Sequence, residues 1–103
     1  MVTYTIVANC SVYDVAEGHE AAIKAMQEVR ERLEADGIDT SNLCIKKTNF
    51  FLTDSAKQAF VVHSGDVIHC ATDSYKLAES IKLQTELSLP DTNVEITMAP
   101  LLT

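Results

Sequence analysis

The sequence predicts a single α+β domain whose elements run strand, helix, strand, strand, helix, strand. Three observations carry this. Apolar and polar residues alternate from Thr3 to Tyr13, apolar residues recur at steps of three and four from His19 to Asp36, and shorter apolar runs between polar turns fill the remainder.

The first strand places Tyr4, Ile6, Ala8, Cys10 and Val12 on one face and Thr3, Thr5, Val7, Asn9, Ser11 and Tyr13 on the other. One face is apolar and the other mixed. The helix from His19 to Asp36 sets Ala22, Ile23, Met26, Val29 and Leu33 along one stripe, with Glu20, Lys24, Glu28 and Arg32 outside as i, i+4 charge neighbours. Gly37 supplies its left-handed stop. After the polar turn Asp39–Asn42, Leu43 to Leu52 and Ala59 to His63 read as two strands of an antiparallel hairpin around Thr53-Asp54-Ser55-Ala56. Ser64-Gly65-Asp66 reads as a helix start, because a small hydroxyl and a carboxylate accept the orphan amides of a first turn. One short helical turn and then a longer helix from Asp73 to Leu87 follow, with a second cap near Thr72-Asp73-Ser74. Pro90 and Asp91 end that helix, and Asn93 to Met98 forms the last strand. The expected architecture is therefore ferredoxin-like βαββαβ, a four-stranded antiparallel sheet with both helices on one face, occupying residues 1–103 as one domain.

Composition narrows the function. Lys plus Arg number 8 against 15 Asp plus Glu, a formal charge of -7, and Lys46-Lys47 is the one adjacent basic pair, which argues against nucleic acid as a partner. No charged leader precedes an apolar run, and no stretch approaches the ~18 apolar residues of a membrane span. The three cysteines, Cys10, Cys44 and Cys70, are odd in number and widely spaced, so reduced thiols in a cytoplasmic, soluble protein are expected. Asn9-Cys10-Ser11 fits a glycosylation sequon but falls within the expected first strand. The sheet face away from the helices would carry Val7, Tyr13, one of Phe50 and Phe51, and one apolar row of Ala59 to Val62. A patch that size is rarely left bare, so a homodimer with its sheets face to face is expected.

With this order of elements the chain resembles the antibiotic biosynthesis monooxygenase family of dimeric α+β barrels. The residues that carry the likeness are Tyr4 to Asn9 through Val12 with Glu17-Gly18-His19-Glu20, the strand Ala59-Phe60-Val61-Val62, and His69-Cys70-Ala71-Thr72-Asp73-Ser74-Tyr75. The resemblance implies a cofactor-independent oxygenase acting on a small aromatic or quinol-like molecule in the cavity between the sheets. It implies His69 at the opening of the second helix as the base, with Asn9, matching a pocket asparagine of haem-degrading relatives, holding the developing oxyanion. His63 is a second acid/base candidate on its unperturbed chemistry. Ser11, Tyr13, Tyr75 and Thr97 could bond an aromatic ligand and Phe50 or Phe51 could wall it. His63 and His69 lack helical metal-site spacing, so no metal is expected. Two other readings share the layout: a ligand-sensing module of the ACT type, against which the Asp14-Val15-Ala16-Glu17-Gly18 loop lacks proline, and a structural dimer without a ligand.

Overall fold

Two tight turns set the architecture. Asn9 and Cys10 both take positive φ, 52° and 64°, the signature of a type I′ turn, and reverse the chain between β1 (Val2–Ala8) and β2 (Ser11–Ala16). Gly65, at φ 60°, takes the first central position of a second two-residue turn, joining β4 (Gln58–Ser64) to β5 (Val67–Thr72). The remaining elements of the computed structural model, which describes residues 1–53 and 58–103, are α1 (His19–Ala35), β3 (Cys44–Phe51), α2 (Tyr75–Ser88) and β6 (Glu95–Leu102).

These six strands close into a mixed barrel in the order β1-β2-β6-β4-β5-β3. The pairs β1–β2, β1–β3, β4–β5 and β4–β6 are antiparallel. Two parallel seams complete the circle, Val15↔Leu101 and Ala16↔Leu102 between β2 and β6, and Phe50↔Ala71 and Phe51↔Thr72 between β3 and β5. This replaces the expected four-stranded ferredoxin-like antiparallel sheet. The run from Thr3 to Tyr13 is two strands and not one, and Ser64-Gly65-Asp66 is a hairpin tip and not a helix start. The expected hairpin of 43–52 with 59–63 is absent, because β3 lies between β1 and β5 while β4 lies between β5 and β6. The residues Asp54, Ser55 and Ala56 of its proposed turn lie outside the described residues. The dimeric α+β barrel of the antibiotic monooxygenase likeness needs that open sheet, so the likeness to this family is not supported.

The chain is two ββαβ halves. Elements beginning at Val2, Ser11 and His19 recommence 56 residues later at Gln58, Val67 and Tyr75. Both hairpins carry a bulge at the same place, between Ile6 and Val7 and between Val62 and His63. Each helix lies on its own half, α1 against β1, β2 and β3 and α2 against β4, β5 and β6, so the helices do not share one face of one sheet. Under α1, Ile6, Ala8 and Ala16 meet Ala22, Ala25, Val29 and Leu33. Under α2, Val62, Cys70 and Val94 meet Ala78.

The opposite side chains of the strands fill the barrel. Val7, Val12, Val15, Phe50, Ala59, Val61, Ala71 and Ala99 form one buried cluster. A six-stranded barrel is narrower than the eight-stranded kind, whose interior is just wide enough for side chains to fill, so this interior is a core and not a chamber. The small Ala59, Ala71 and Ala99 make room for the ring of Phe50. Val7, Phe50, Ala59 and Val61 are the residues that, on an open sheet, would have required a second subunit to cover them. Closure buries them within the chain.

Phe50 is 2% exposed and Phe51 51%, so Phe50 is the ring inside the barrel. Phe50→Ala should cost about 3–5 kcal/mol in urea denaturation, the usual range for an aromatic core truncation, against under about 1 kcal/mol for Phe51→Ala.

Candidate functional site

The residues singled out in the sequence lie in several places. Asn9 is exposed at the β1–β2 turn, where its Nδ2 donates to the Asp39 carbonyl at 3.0 Å and its backbone amide to Asn42 Oδ1 at 3.3 Å. Ser11, at the start of β2, is also exposed. Tyr13 is half-buried beside α1, with the Arg32 guanidinium 5.9 Å from its ring centroid. Phe50 is in the barrel core. Tyr75 opens α2 and stacks on Phe60, with centroids 5.5 Å apart and an interplanar angle of 28°. The matching pair in the first half, Tyr4 and His19, meets edge to face at 5.4 Å.

His63 and Thr97 do come together. His63 Nδ1 lies 2.9 Å from the Gly65 carbonyl, which can only accept, so this nitrogen carries a proton; in the neutral ring Nε2, 2.7 Å from Thr97 Oγ1, accepts from the hydroxyl. Glu95 Oε1 stands 3.6 Å from Nε2. The ring is fully buried and both nitrogens are engaged. It binds the β4–β5 tip to β6, and it has no face open to a substrate.

His69 lies within β5, six residues before α2, with Nε2 2.9 Å from Ser64 Oγ. The helix start is at Ser74, whose Oγ accepts the Leu77 amide at 3.2 Å. The dipole of α2 therefore does not act on His69 as a helix-start position would require. Cys10, Cys44 and Cys70 are free thiols, exposed, half-buried and buried in turn, and burial raises the Cys70 pKa. Among the described residues no three His, Cys, Asp or Glu side chains form a group able to hold a metal, and no helix is long and apolar enough to cross a membrane.

The open space in this molecule is outside the barrel. A groove of about 760 Å³ runs between α2 and β6, with Val94, Ile96, Leu83 and Tyr75 supplying apolar surface and Lys76, Glu79, Lys82, Glu86 and Glu95 supplying charge. It exists because α2 is loosely seated. Helix α1 buries Ala22, Ala25, Val29 and Leu33, while α2 buries Ala78 alone among its described residues. Of the groove residues, Tyr75 was singled out in the sequence. Leu83, with Leu87 four residues on, carries a readable signal, an apolar pair on the helix face opposite Ala78.

A small closed barrel of two ββαβ halves with a groove outside it between α2 and β6 is the class of molecule this geometry defines. Comparison with family models, with curated proteins and with solved structures gives no match to this chain.

Two expectations follow from the polar contacts. Thr97→Val removes the donor to His63 Nε2 and should cost about 1–3 kcal/mol in thermal or urea unfolding, the penalty for an unsatisfied buried polar atom. Asp14 has a raised pKa, chiefly from desolvation, with Arg32 opposing and Glu28 adding to the rise. A carboxyl raised in the fold is harder to ionise there than in the unfolded chain, so its charge destabilises at neutral pH, and that loss is recovered as pH falls through its raised range toward 3.8. Asp14→Asn should therefore raise the Tm at pH 7, with the difference from wild type shrinking in acid.

Proposed function

We propose that this chain is a homodimeric binding module that takes a small aromatic, phenol- or quinol-like ligand in the groove between α2 and β6. The groove itself carries the reading: about 760 Å³ falls within the 300–1,000 Å³ typical of small-molecule sites, and apolar and polar groups converge on it. Tyr75, backed by Phe60, offers a ring on which an aromatic ligand can stack, and Val94 and Ile96 offer an apolar floor. Phenolic hydroxyls can donate to the carboxylate of Glu95 on the β6 wall of the groove. The reading is of binding without turnover, since neither His63, bonded to Thr97 and Gly65, nor His69, bonded to Ser64, lines the groove. The homodimer is supported by apolar side chains left open on α2, with Leu83 60% and Leu87 76% exposed.

Titrating isotope-labelled protein with hydroquinone, and with cyclohexanol as a non-aromatic control, tests the ligand half. Amide shifts should concentrate on Tyr75–Leu83 and Val94–Ile96, and Tyr75→Ala should weaken hydroquinone binding by roughly tenfold, the value of one stacking contact. Equal binding of cyclohexanol, or shifts confined to other surfaces, would overturn it.

A further inference from the structure

The outer face of α2 points to its own occupant. At 100° per residue, Lys76, Glu79, Ser80, Leu83, Glu86 and Leu87 fall on one side of the helix, opposite Ala78, Ile81 and Thr85, which turn toward the barrel. Helix α1 is the internal control: its exposed residues include Glu20, Lys24, Gln27, Glu28, Glu31 and Arg32, a solvated charged face broken by Ile23. The α2 stripe differs in placing two exposed leucines on its centre line with opposite charges toward its two ends.

We infer that this stripe is the homodimer surface, two α2 helices packed antiparallel about a two-fold axis at the level of residue 81, with Lys76 of each chain against Glu86 of the partner subunit. The inference rests on the homodimer reading above and names its interface. A two-fold contact is isologous, so a surface must complement itself on reversal. This one does. Lys76 and Glu86 are equidistant from residue 81, separated along the helix by about 15 Å at 1.5 Å per residue, and reversal brings each onto the other. Leu83 falls against Glu79 and the small Ser80 of the partner subunit, and Leu87 against the stem of the partner's Lys76. A pairing that set Glu79 on the partner's Glu86 would oppose like charges. Glu86 already accepts from Lys82 at 3.1 Å through Oε1, which holds the carboxylate in place with a second oxygen to offer. The partner helix also forms an outer wall for the groove, because Lys76, Leu83 and Glu86 belong to both.

Sedimentation of the whole chain and four variants tests this, with circular dichroism confirming that each variant is folded. Wild type should be a dimer, and Leu83→Glu with Leu87→Glu a folded monomer. Lys76→Glu and Glu86→Lys should each weaken the dimer roughly tenfold, since each turns two attractive contacts into two repulsive ones, and the double exchange K76E/E86K should restore it to within about threefold of wild type. If wild type is a dimer that none of these changes weakens, or if the double exchange is no better than the single ones, the α2 interface is wrong while the homodimer stands. A wild-type monomer at 100 µM, on the order of ten times the concentration of routine sedimentation, removes the homodimer reading and this interface together, and leaves ligand binding to its own titration.

Discussion

The barrel closes because the chain reverses at two two-residue turns whose backbone enters the positive-φ region. Asn9 and Cys10 do this without glycine, at a cost of about 1–2 kcal/mol per residue for the side chains held there. Contacts at the tip offset that cost. The Cys10 amide donates to Asp66 Oδ1 at 2.8 Å, across from one hairpin to the other, and Asn9 is tied to the loop before β3 by two further bonds. A side chain at Gly65 would have its Cβ 3.3 Å from the Cys10 sulfur, and a positive φ there already favours glycine. His63 bonds the carbonyl of that same glycine. The two tips are thus fastened to each other and, through His63 and Thr97, to β6. The two-residue parallel seams need this support, since each by itself pairs few backbone groups.

The two halves share a backbone plan and fill it differently. Matching β1 to β4 and β3 to β6 by their register puts Thr3 opposite Ala59, Thr5 opposite Val61 and Thr48 opposite Ala99. The first half therefore carries three buried hydroxyls. Thr48 donates to the Lys46 carbonyl at 3.0 Å, so Thr5 donates to Thr48 at 2.9 Å, and Thr3 reaches the Thr48 carbonyl at 3.4 Å. The second half is apolar at those places and buries polar residues elsewhere, His63 in the position of Val7 and Thr72 and Asp73 at the end of β5. Among the described residues every buried side-chain nitrogen and oxygen has a hydrogen-bond partner, which is what burial at this depth demands.

Legibility in the sequence followed the range of the interaction. Helix α1 was readable to within a residue because its period and Gly37 are local signals, and for the same reason the run Thr72-Asp73-Ser74 placed the cap of α2 within three residues, although the helix begins at Tyr75 and not at Asp73. The turn at Asn9-Cys10 was not, since a type I′ turn is usually announced by glycine after asparagine, and cysteine in that place leaves an unbroken alternation through Val12. Gly65-Asp66 between two apolar runs does carry a hairpin signal, but Ser64 and Asp66 make an equally good helix cap, and local chemistry alone does not separate the two. Phe50 could be named as an aromatic strand residue, although its place in a closed core depends on seams of two residues that no local pattern reveals. Likewise His63 and Thr97 were both visible as polar candidates, while their contact joins positions 34 apart in the chain. The groove was invisible because it depends on how far a helix stands from a sheet.

That stand-off has a cause in four positions. The residues by which α1 settles on its strands, Ala22, Ala25, Val29 and Leu33, correspond in α2 to Ala78, Ile81, Thr85 and Leu89. Ala78 is buried like Ala22. One turn on, isoleucine stands where α1 has alanine, and this larger side chain is only partly buried against the core while Ala25 is wholly buried. A further turn on, Thr85 replaces valine and turns its hydroxyl back to the Ile81 carbonyl at 2.8 Å, contributing little to the apolar contact. Leu89, beyond the end of the helix, is 43% exposed where Leu33 is 4%. Burial thus loosens along α2 from its first turn to its last, and the space that opens is on the side of β6. These substitutions leave α2 more weakly held by its own barrel than α1 is, so a helix in that position gains most from a contact on its outer face.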